Sequence, residues 1–260
     1  MINKKNIVVS RISESSSIMA AYQNKLKALV KDMRNSIEWY MKGRIKRVVE
    51  AVNDSNPATE VQKELDRIKR QYAKKTKELS KDLAKKIVLQ IRKDAQNRLI
   101  AKVKDVKPEI KGIKLTMSEP MKIKVSAAIK QNVSLIRTIP DRYFSRIENT
   151  IMSNVRNNEG TASLFKQLVV AYGITQSQAT LIAVDQTRKI HAEIIRQECK
   201  ELGFNTAIWR HSGISREPRI SHQRADGKKF DINKGCKIDG EYIYAAQKPG
   251  CNCYEEIVIE

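Results

Sequence analysis

The stretch that decides the fold runs from residue 56 to residue 108: NPATEVQKELDRIKRQYAKKTKELSKDLAKKIVLQIRKDAQNRLIAKVKDVKP. Val61, Leu65, Ile68, Tyr72, Leu79, Leu83, Ile87, Ile91 and Leu99 recur at helical spacings of three, four, seven and eight. That recurrence places them on one face of an α-helix. Val88 and Leu89 fall off the face and widen it. Most of the remaining positions are charged, and neither Gly nor Pro occurs from Ala58 to Lys107. Asn56 suits the N-cap, and Pro57 suits the first helical position, where a missing N–H costs nothing. Pro108 and Gly112 mark the end. A helix of about 48 residues would span about 70 Å at 1.5 Å per residue, which predicts an extended or coiled-coil-like shape. The spacing is not a strict heptad, so a helical hairpin or bundle is expected rather than a fibre.

Working outward, a second helix is predicted from about Ser15 to Asn53, with Ile18, Tyr22, Leu26, Leu29, Val30, Met33, Ile37 and Met41 on its apolar face. Residues 106–117 read as a connection with one short extended stretch. Ser118-Glu119-Pro120 then caps a third helix, which Ile139-Pro140 should break. Asp141 opens a helix to about Asn158, closed at Glu159-Gly160. A short helix over Thr161–Ala171 should end in a turn at Tyr172-Gly173-Ile174. Thr175 and Gln178 form a capping-box pattern for a last long helix, which Gly203 ends.

The chain changes character beyond residue 203. Six of its ten glycines lie after residue 200, and all three histidines and four cysteines lie after residue 190. Thr206–His211, Glu241–Tyr244 and Glu256–Ile259 read as strands between turns. The predicted fold is therefore mainly α with a small C-terminal α+β domain. Long basic helices, in a hairpin or bundle, precede a helix packed on a small β-sheet. The natural division is a basic long-helix region at 1–159 and an α+β domain at 160–260.

The 260 residues hold 50 Lys and Arg against 29 Asp and Glu, a net charge of +21. From Ile174 onward there are 13 basic and 12 acidic residues, so net +20 precedes that point. An excess of this size favours an anionic partner, nucleic acid first. Arg44, Lys46, Arg47, Lys74, Lys75, Lys77, Lys81, Lys85 and Lys86 are the candidate contacts to DNA or to an acidic protein surface. Interspersed Glu64, Asp66, Glu78 and Asp82 would pair with some of them. No sequence-reading motif stands out, so any DNA contact is expected to be non-specific. Gln167–Val184 carries no charge, but its glutamines and serine exclude a membrane span. The Ile7-Val8-Val9 run is too short for a secretory signal, which predicts a cytosolic protein with reduced thiols.

One ordered set of residues is specific. It runs Ala183-Val-Asp-Gln-Thr187, Trp209, Arg219-x-x-His222, Asp226-Gly227, Phe230, and finally Pro249-x-Cys251-x-Cys253. His222, Cys236, Cys251 and Cys253 offer the imidazole and thiolate donors of a structural zinc site. The other reading of the same residues is packed thiols and a hydrogen-bonded histidine. Arg219 and Asp226 suit an ion pair, with His222 bonded to backbone in a tight β-loop. Asp226-Gly227 is a turn signal. Trp209 fits the core better than a base-stacking platform. No nucleophile elbow is present.

The ordered set resembles the phage Mu F-like minor head protein family, also called the head morphogenesis family. The likeness covers roughly residues 160–256. The residues that match are Trp209, Arg219, His222, Asp226, Gly227, Phe230, Pro249, Cys251 and Cys253. In cysteine-rich members four positions look ready for a metal; here Arg219 and Lys248 stand at two of them. The resemblance implies a low-copy structural protein of a tailed-phage head, without catalytic activity or a required cofactor. It would lie in the head interior, and in the host cytoplasm during assembly. The partners implied are the portal protein, the major capsid protein and packaged double-stranded DNA, with a homo-oligomer around the portal and no membrane. Two other readings stand beside it. One is a metal-dependent nuclease using His222 and Asp226, and the other is a basic DNA-organising protein with an incidental C-terminal domain.

Overall fold

The computed structural model describes residues 6–41, 57–104, 106–108, 116–157, 159, 161–214 and 217–259. The protein is mainly helical, with a small antiparallel sheet formed largely by its C-terminal segment. In chain order the elements are β1 (Ile7–Val9), α1 (Ser16–Tyr40), α2 (Pro57–Val103), α3 (Glu119–Arg156) and α4 (Thr161–Glu201). There follow β2 (Thr206–Arg210), the one-turn α5 (Ile220–Arg224), β3 (Lys229–Asp231), β4 (Cys236–Ile238), β5 (Glu241–Ile243) and β6 (Tyr254–Ile259). None of the described helices is long and apolar enough to cross a membrane.

Caps act where the side chains allow. The Ser118 hydroxyl accepts the Met121 N–H at 3.1 Å and starts α3, as its sequence predicts. Ser15 plays the same part for α1, with the Ile18 N–H at 3.4 Å. Asn56 and the last part of the expected helix from Ser15, residues 42–53, lie outside the described residues, as does 109–115 in the expected connection.

Two expected breaks are absent. Pro140 sits inside α3, which runs on without interruption. An interior proline costs about 3 kcal/mol because it lacks an N–H and crowds the preceding turn. Ile136, Ile139, Tyr143, Phe144 and Ile147 are buried on both sides of it. Each contributes about 1.5–3 kcal/mol by leaving water, which outweighs the local cost. Likewise α4 continues through Gly173. Thr175 caps nothing: its hydroxyl donates to the Ala171 carbonyl one turn back at 2.9 Å and accepts from Arg146 at 2.9 Å. Leu164, Leu168, Ala171, Ala179 and Ala183 carry the buried stripe across the glycine.

The chain forms two compact units. One comprises Ala20–Lys85 and Lys130–Ala183, and the other Met1–Met19, Lys86–Ile129 and Val184–Glu260. The segments 1–159 and 160–260 each contribute to both units. The first unit is all helical. Its core gathers Tyr22, Leu26, Met33 and Ile37 of α1, Leu65, Ile68 and Tyr72 of α2, and the α3 residues around Pro140. Tyr72 and Tyr143 both pack on Phe144, with ring centroids 5.6 and 5.5 Å away. The buried Tyr22 hydroxyl donates to Asn132 Oδ1 at 2.9 Å. Leu79, placed on the apolar face by its spacing, is exposed, while Thr76 and Ser80 are buried.

The second unit holds the sheet, in the order β1-β6-β2-β3, every pairing antiparallel. Ile7–Val9, expected only as a short apolar run, pairs with the last strand in the register Ile7↔Ile259. Its three β-branched residues suit a strand. A separate hairpin joins β4 and β5 through Asp239-Gly240, both at positive φ (52° and 82°), as a two-residue turn of this type requires. Gly235 precedes it at φ 92°, where a Cβ would come within 3.0 Å of the Ile243 carbonyl oxygen.

Candidate functional site

The residues of the C-terminal motif converge within the sheet-bearing unit. Trp209, on the central strand β2, is fully buried. The His222 ring stands edge-on to it at a centroid separation of 5.1 Å and an interplanar angle of 85°. Thus Trp209 belongs to the core, as expected. His222 lies on the one-turn helix α5 rather than in a β-loop. Its Nδ1 faces two sulfurs, Cys251 Sγ at 3.5 Å and Cys253 Sγ at 3.6 Å. The donor atoms of all three residues lie within 4.8 Å of one another, and no other such group of three or more occurs among the described residues. His222, Cys251 and Cys253 are only 4%, 5% and 6% exposed.

Cys236 does not join them. It is buried on β4, opposite Ile243 in the hairpin, where burial raises its thiol pKa. The expected set of four thus resolves into a cluster of three and a separate packed thiol. Cys199 is likewise buried, and desolvation drives its thiol pKa upward.

The two clustered cysteines behave as a pair. The Cys253 thiol donates to the Cys251 sulfur; this bond and the backbone N–H groups of Cys253 and Ala246 outweigh burial and pull Cys251 down to about 5. Cys253 is raised, by that shared proton first and by burial second, against the pull of the Trp209 side chain and the Ser212 backbone. The Trp209 indole N–H is buried without a partner at full hydrogen-bonding distance, and so is the Ser212 hydroxyl.

The loop that carries the cysteines is fixed at three positions, Pro249, Gly250 and Asn252. Asp185 on α4 accepts the Gly250 N–H at 2.8 Å. Arg188, one turn further, donates to Asn252 Oδ1. Arg219 donates to the Pro249 carbonyl at 3.0 Å. These contacts give physical roles to the Ala183–Thr187 motif and to Arg219. Arg219 and Asp226, expected to pair, serve different backbones: Asp226 Oδ1 accepts the His211 N–H at 2.8 Å. Gly227, at φ 78°, makes the turn into β3, and its N–H reaches the Trp209 carbonyl at 2.9 Å. Phe230 is buried one strand over, paired with Ala207.

Charged groups brace the same region. Arg188 also meets Glu14 at 3.1 Å, and Arg11 meets Glu14 at 3.3 Å. Burial works against the Glu14 carboxylate, but a backbone N–H and the two guanidiniums prevail and hold its pKa below the usual value. Arg196 and Glu255 form a buried pair at 3.0 Å, and Glu255 also accepts the Ala245 N–H at 3.0 Å. His191, buried nearby, is pushed down to about 4 by desolvation. The parts played by Asp185, Arg188 and Ser212 are not legible in the sequence, because each meets its partner across about 40 or more intervening residues.

The basic candidates divide differently. Arg44, Lys46 and Arg47 lie outside the described residues. Lys74, Lys75, Lys77, Lys81, Lys85 and Lys86 are all exposed on α2. Lys75 pairs with Asp32 at 2.6 Å. Lys74, Lys77, Lys81 and Lys85 recur every three or four residues and make no ion pair among the described residues. Glu64 is taken by Arg67, and Asp66 accepts from Gln62 at 3.4 Å. Glu78 and Asp82 form no ion pair among the described residues, so the expected neutralisation along this face is incomplete.

No family model matches the chain, and no solved structure matches it. A stretch of 108 residues, 42% of the chain, is 28% identical to a protein of Haemophilus influenzae described as an uncharacterized protein. The match spans 24% of that relative's length.

Proposed function

We propose that the protein is a minor structural component of a tailed-phage head, bound to the portal or inner capsid, where it aids head assembly and DNA packaging. The observation that carries this reading is the ordered C-terminal set and its likeness to the Mu F-like head morphogenesis family. Trp209, Arg219, His222, Asp226, Gly227, Phe230, Pro249, Cys251 and Cys253 are the residues that carry this likeness, in that order. Nearly all of them act as supports: a buried ring, a turn, a clamp on the cysteine loop. That division of labour suits a docking module rather than an open reaction site. The chain would work in the head interior, and in the host cytoplasm during assembly, with portal and major capsid proteins as neighbours.

Mass spectrometry of heads and procapsids purified by sedimentation tests the reading. The chain is expected in both, and its absence from both would overturn the proposal.

Contact with packaged double-stranded DNA is assigned to the exposed lysines of α2. Phosphate contacts release counterions and carry no sequence information. Binding of the full chain should therefore weaken steeply with salt and hardly vary with sequence. Replacing Lys74, Lys77, Lys81 and Lys85 by Gln should reduce the salt slope by up to about 3.6, at about 0.9 per phosphate contact. The alternative of a nuclease built on His222 and Asp226 draws little support from the geometry. His222 is buried against sulfur, and Asp226 is engaged by a backbone N–H.

A further inference from the structure

We propose that His222 Nδ1, Cys251 Sγ and Cys253 Sγ form a structural binding site for a thiophilic divalent cation, with zinc as the ion their donor set favours. Imidazole nitrogen and thiolate sulfur are zinc ligands, whereas calcium and magnesium take oxygen. The spacing fits. Zn–S bonds of about 2.3 Å and Zn–N bonds of about 2.0–2.1 Å, at tetrahedral angles, separate sulfur from nitrogen by about 3.5–3.6 Å. The two separations here are 3.5 and 3.6 Å.

The surroundings are built for the purpose. Pro249, Gly250 and Asn252 are each tied down by a side chain from α4 or from the start of α5, while the intervening Cys251 and the following Cys253 turn inward. Donors held by such a supporting shell are pre-arranged before an ion arrives. Backbone N–H groups of Cys253 and Ala246 face one sulfur and that of Ser212 faces the other, as suits thiolates. Ala246 has a positive φ of 60°.

Three protein donors leave the fourth tetrahedral position to a water or to a further oxygen. The Ser212 hydroxyl is buried without a partner, and the backbone of the same residue bonds the Cys253 sulfur. On binding, the cation displaces the proton that the two sulfurs share and takes the imidazole through Nδ1, which leaves that ring's proton on Nε2. Burial of all three ligands keeps substrate out, so the ion would tie α5 to the start of β6 without doing chemistry. This inference stands apart from the head-protein reading and survives its failure.

Cobalt titration of the reduced full-length protein provides the test. One Co²⁺ per chain should produce thiolate-to-cobalt charge-transfer absorption and tetrahedral d–d bands, both abolished by one equivalent of Zn²⁺. Cys251→Ser, Cys253→Ser and His222→Ala should each lose the bands, while Cys236→Ser keeps them. Zinc should raise the Tm of the wild-type protein, and a chelator should reverse the rise. Should a ligand variant fail to fold, the wild-type titration still decides. Folded, reduced wild-type protein that shows no stoichiometric tetrahedral bands would overturn the proposal. Bands that persist in all three ligand variants, or that vanish in Cys236→Ser, would overturn the assignment of ligands.

Discussion

In the helical unit the buried side chains are mostly apolar or aromatic, and its ion pairs lie on the surface, such as Lys75 with Asp32 and Arg34 with Glu38. In the sheet-bearing unit Arg196, Glu255, Glu198, His191 and His222 are buried or nearly so. The sheet is small, and its strands run from three to six residues. Strands this short bury little apolar surface, so specific polar contacts must fix their positions. The helical unit tolerates local irregularities such as Pro140 and Gly173 because its packing is redundant. In the other unit single polar contacts, such as Arg196 with Glu255 and Asp185 with the Gly250 N–H, hold individual segments in place.

The comparison is most sharply broken at Arg196. Arg196→Met leaves the Glu255 carboxylate buried and unpaired, and should cost about 3–5 kcal/mol in urea unfolding. Adding Glu255→Leu should recover most of that loss, because removing both charges removes the desolvation cost too. A loss below about 1 kcal/mol for the single variant would show that the pair has little part in stability.

The helical unit should respond in the opposite sense. Pro140→Ala should stabilise it by about 2 kcal/mol, the interior proline penalty of about 3 kcal/mol less the added freedom of the unfolded chain. A destabilised variant would mean that packing of the buried Pro140 ring outweighs its helix penalty.

Glu198 sharpens the contrast through pH. Its side chain is buried with neither oxygen bonded, and desolvation, then Glu201, push it up to about 7 against the pull of Arg92. A carboxyl raised in the folded state holds its proton more tightly there than in the unfolded chain. Stability is therefore lost as pH rises from about 4.5 to about 7. Glu198→Gln should remove that decline and stand about 1–2 kcal/mol above the wild type at pH 8, after allowance for solvent screening. Equal pH dependence in the two proteins would refute the assignment.

The smallest effect is expected at Gly173. A Cβ there meets nothing within 4 Å, so Gly173→Ala should gain about 1 kcal/mol in thermal unfolding.

Much of the secondary structure was legible from the chain. The apolar spacings of α1 and α2, the Ser118 cap, the Thr206 strand and the Asp226-Gly227 turn all depend on neighbours a few residues apart. Pro140 and Gly173 read as breaks for the same reason. Their local penalty is visible in sequence, whereas the burial that overrides it comes from other helices. Along α2 the buried positions Leu83, Ile87, Ile91, Ala95, Leu99 and Val103 advance by fours. Each step of four turns the stripe about 40°, so it swings about 200° between Leu83 and Val103. A single apolar face was the wrong picture for a helix that supplies two cores.

The inventory of the candidate site was likewise legible, but its membership was not. His222, Cys251 and Cys253 meet, and Cys236 does not, because strand pairing carries Cys236 into a separate hairpin. Charge shows the same limit. Along the chain, net +20 precedes residue 174 and +1 follows. The folded units share the charge almost evenly, with 27 basic and 17 acidic residues in the sheet-bearing unit and 23 and 12 in the helical one. By itself the sequence determined where the helical segments and three of the six described strands lie, the net charge and the chemical types available near the C-terminus, since these follow from composition and short-range periodicity. Only the tertiary structure decided which helices continue, which thiols converge on His222 and which unit carries which charge. Those outcomes turn on contacts between residues tens of positions apart, whose burial energies exceed the local preferences they override.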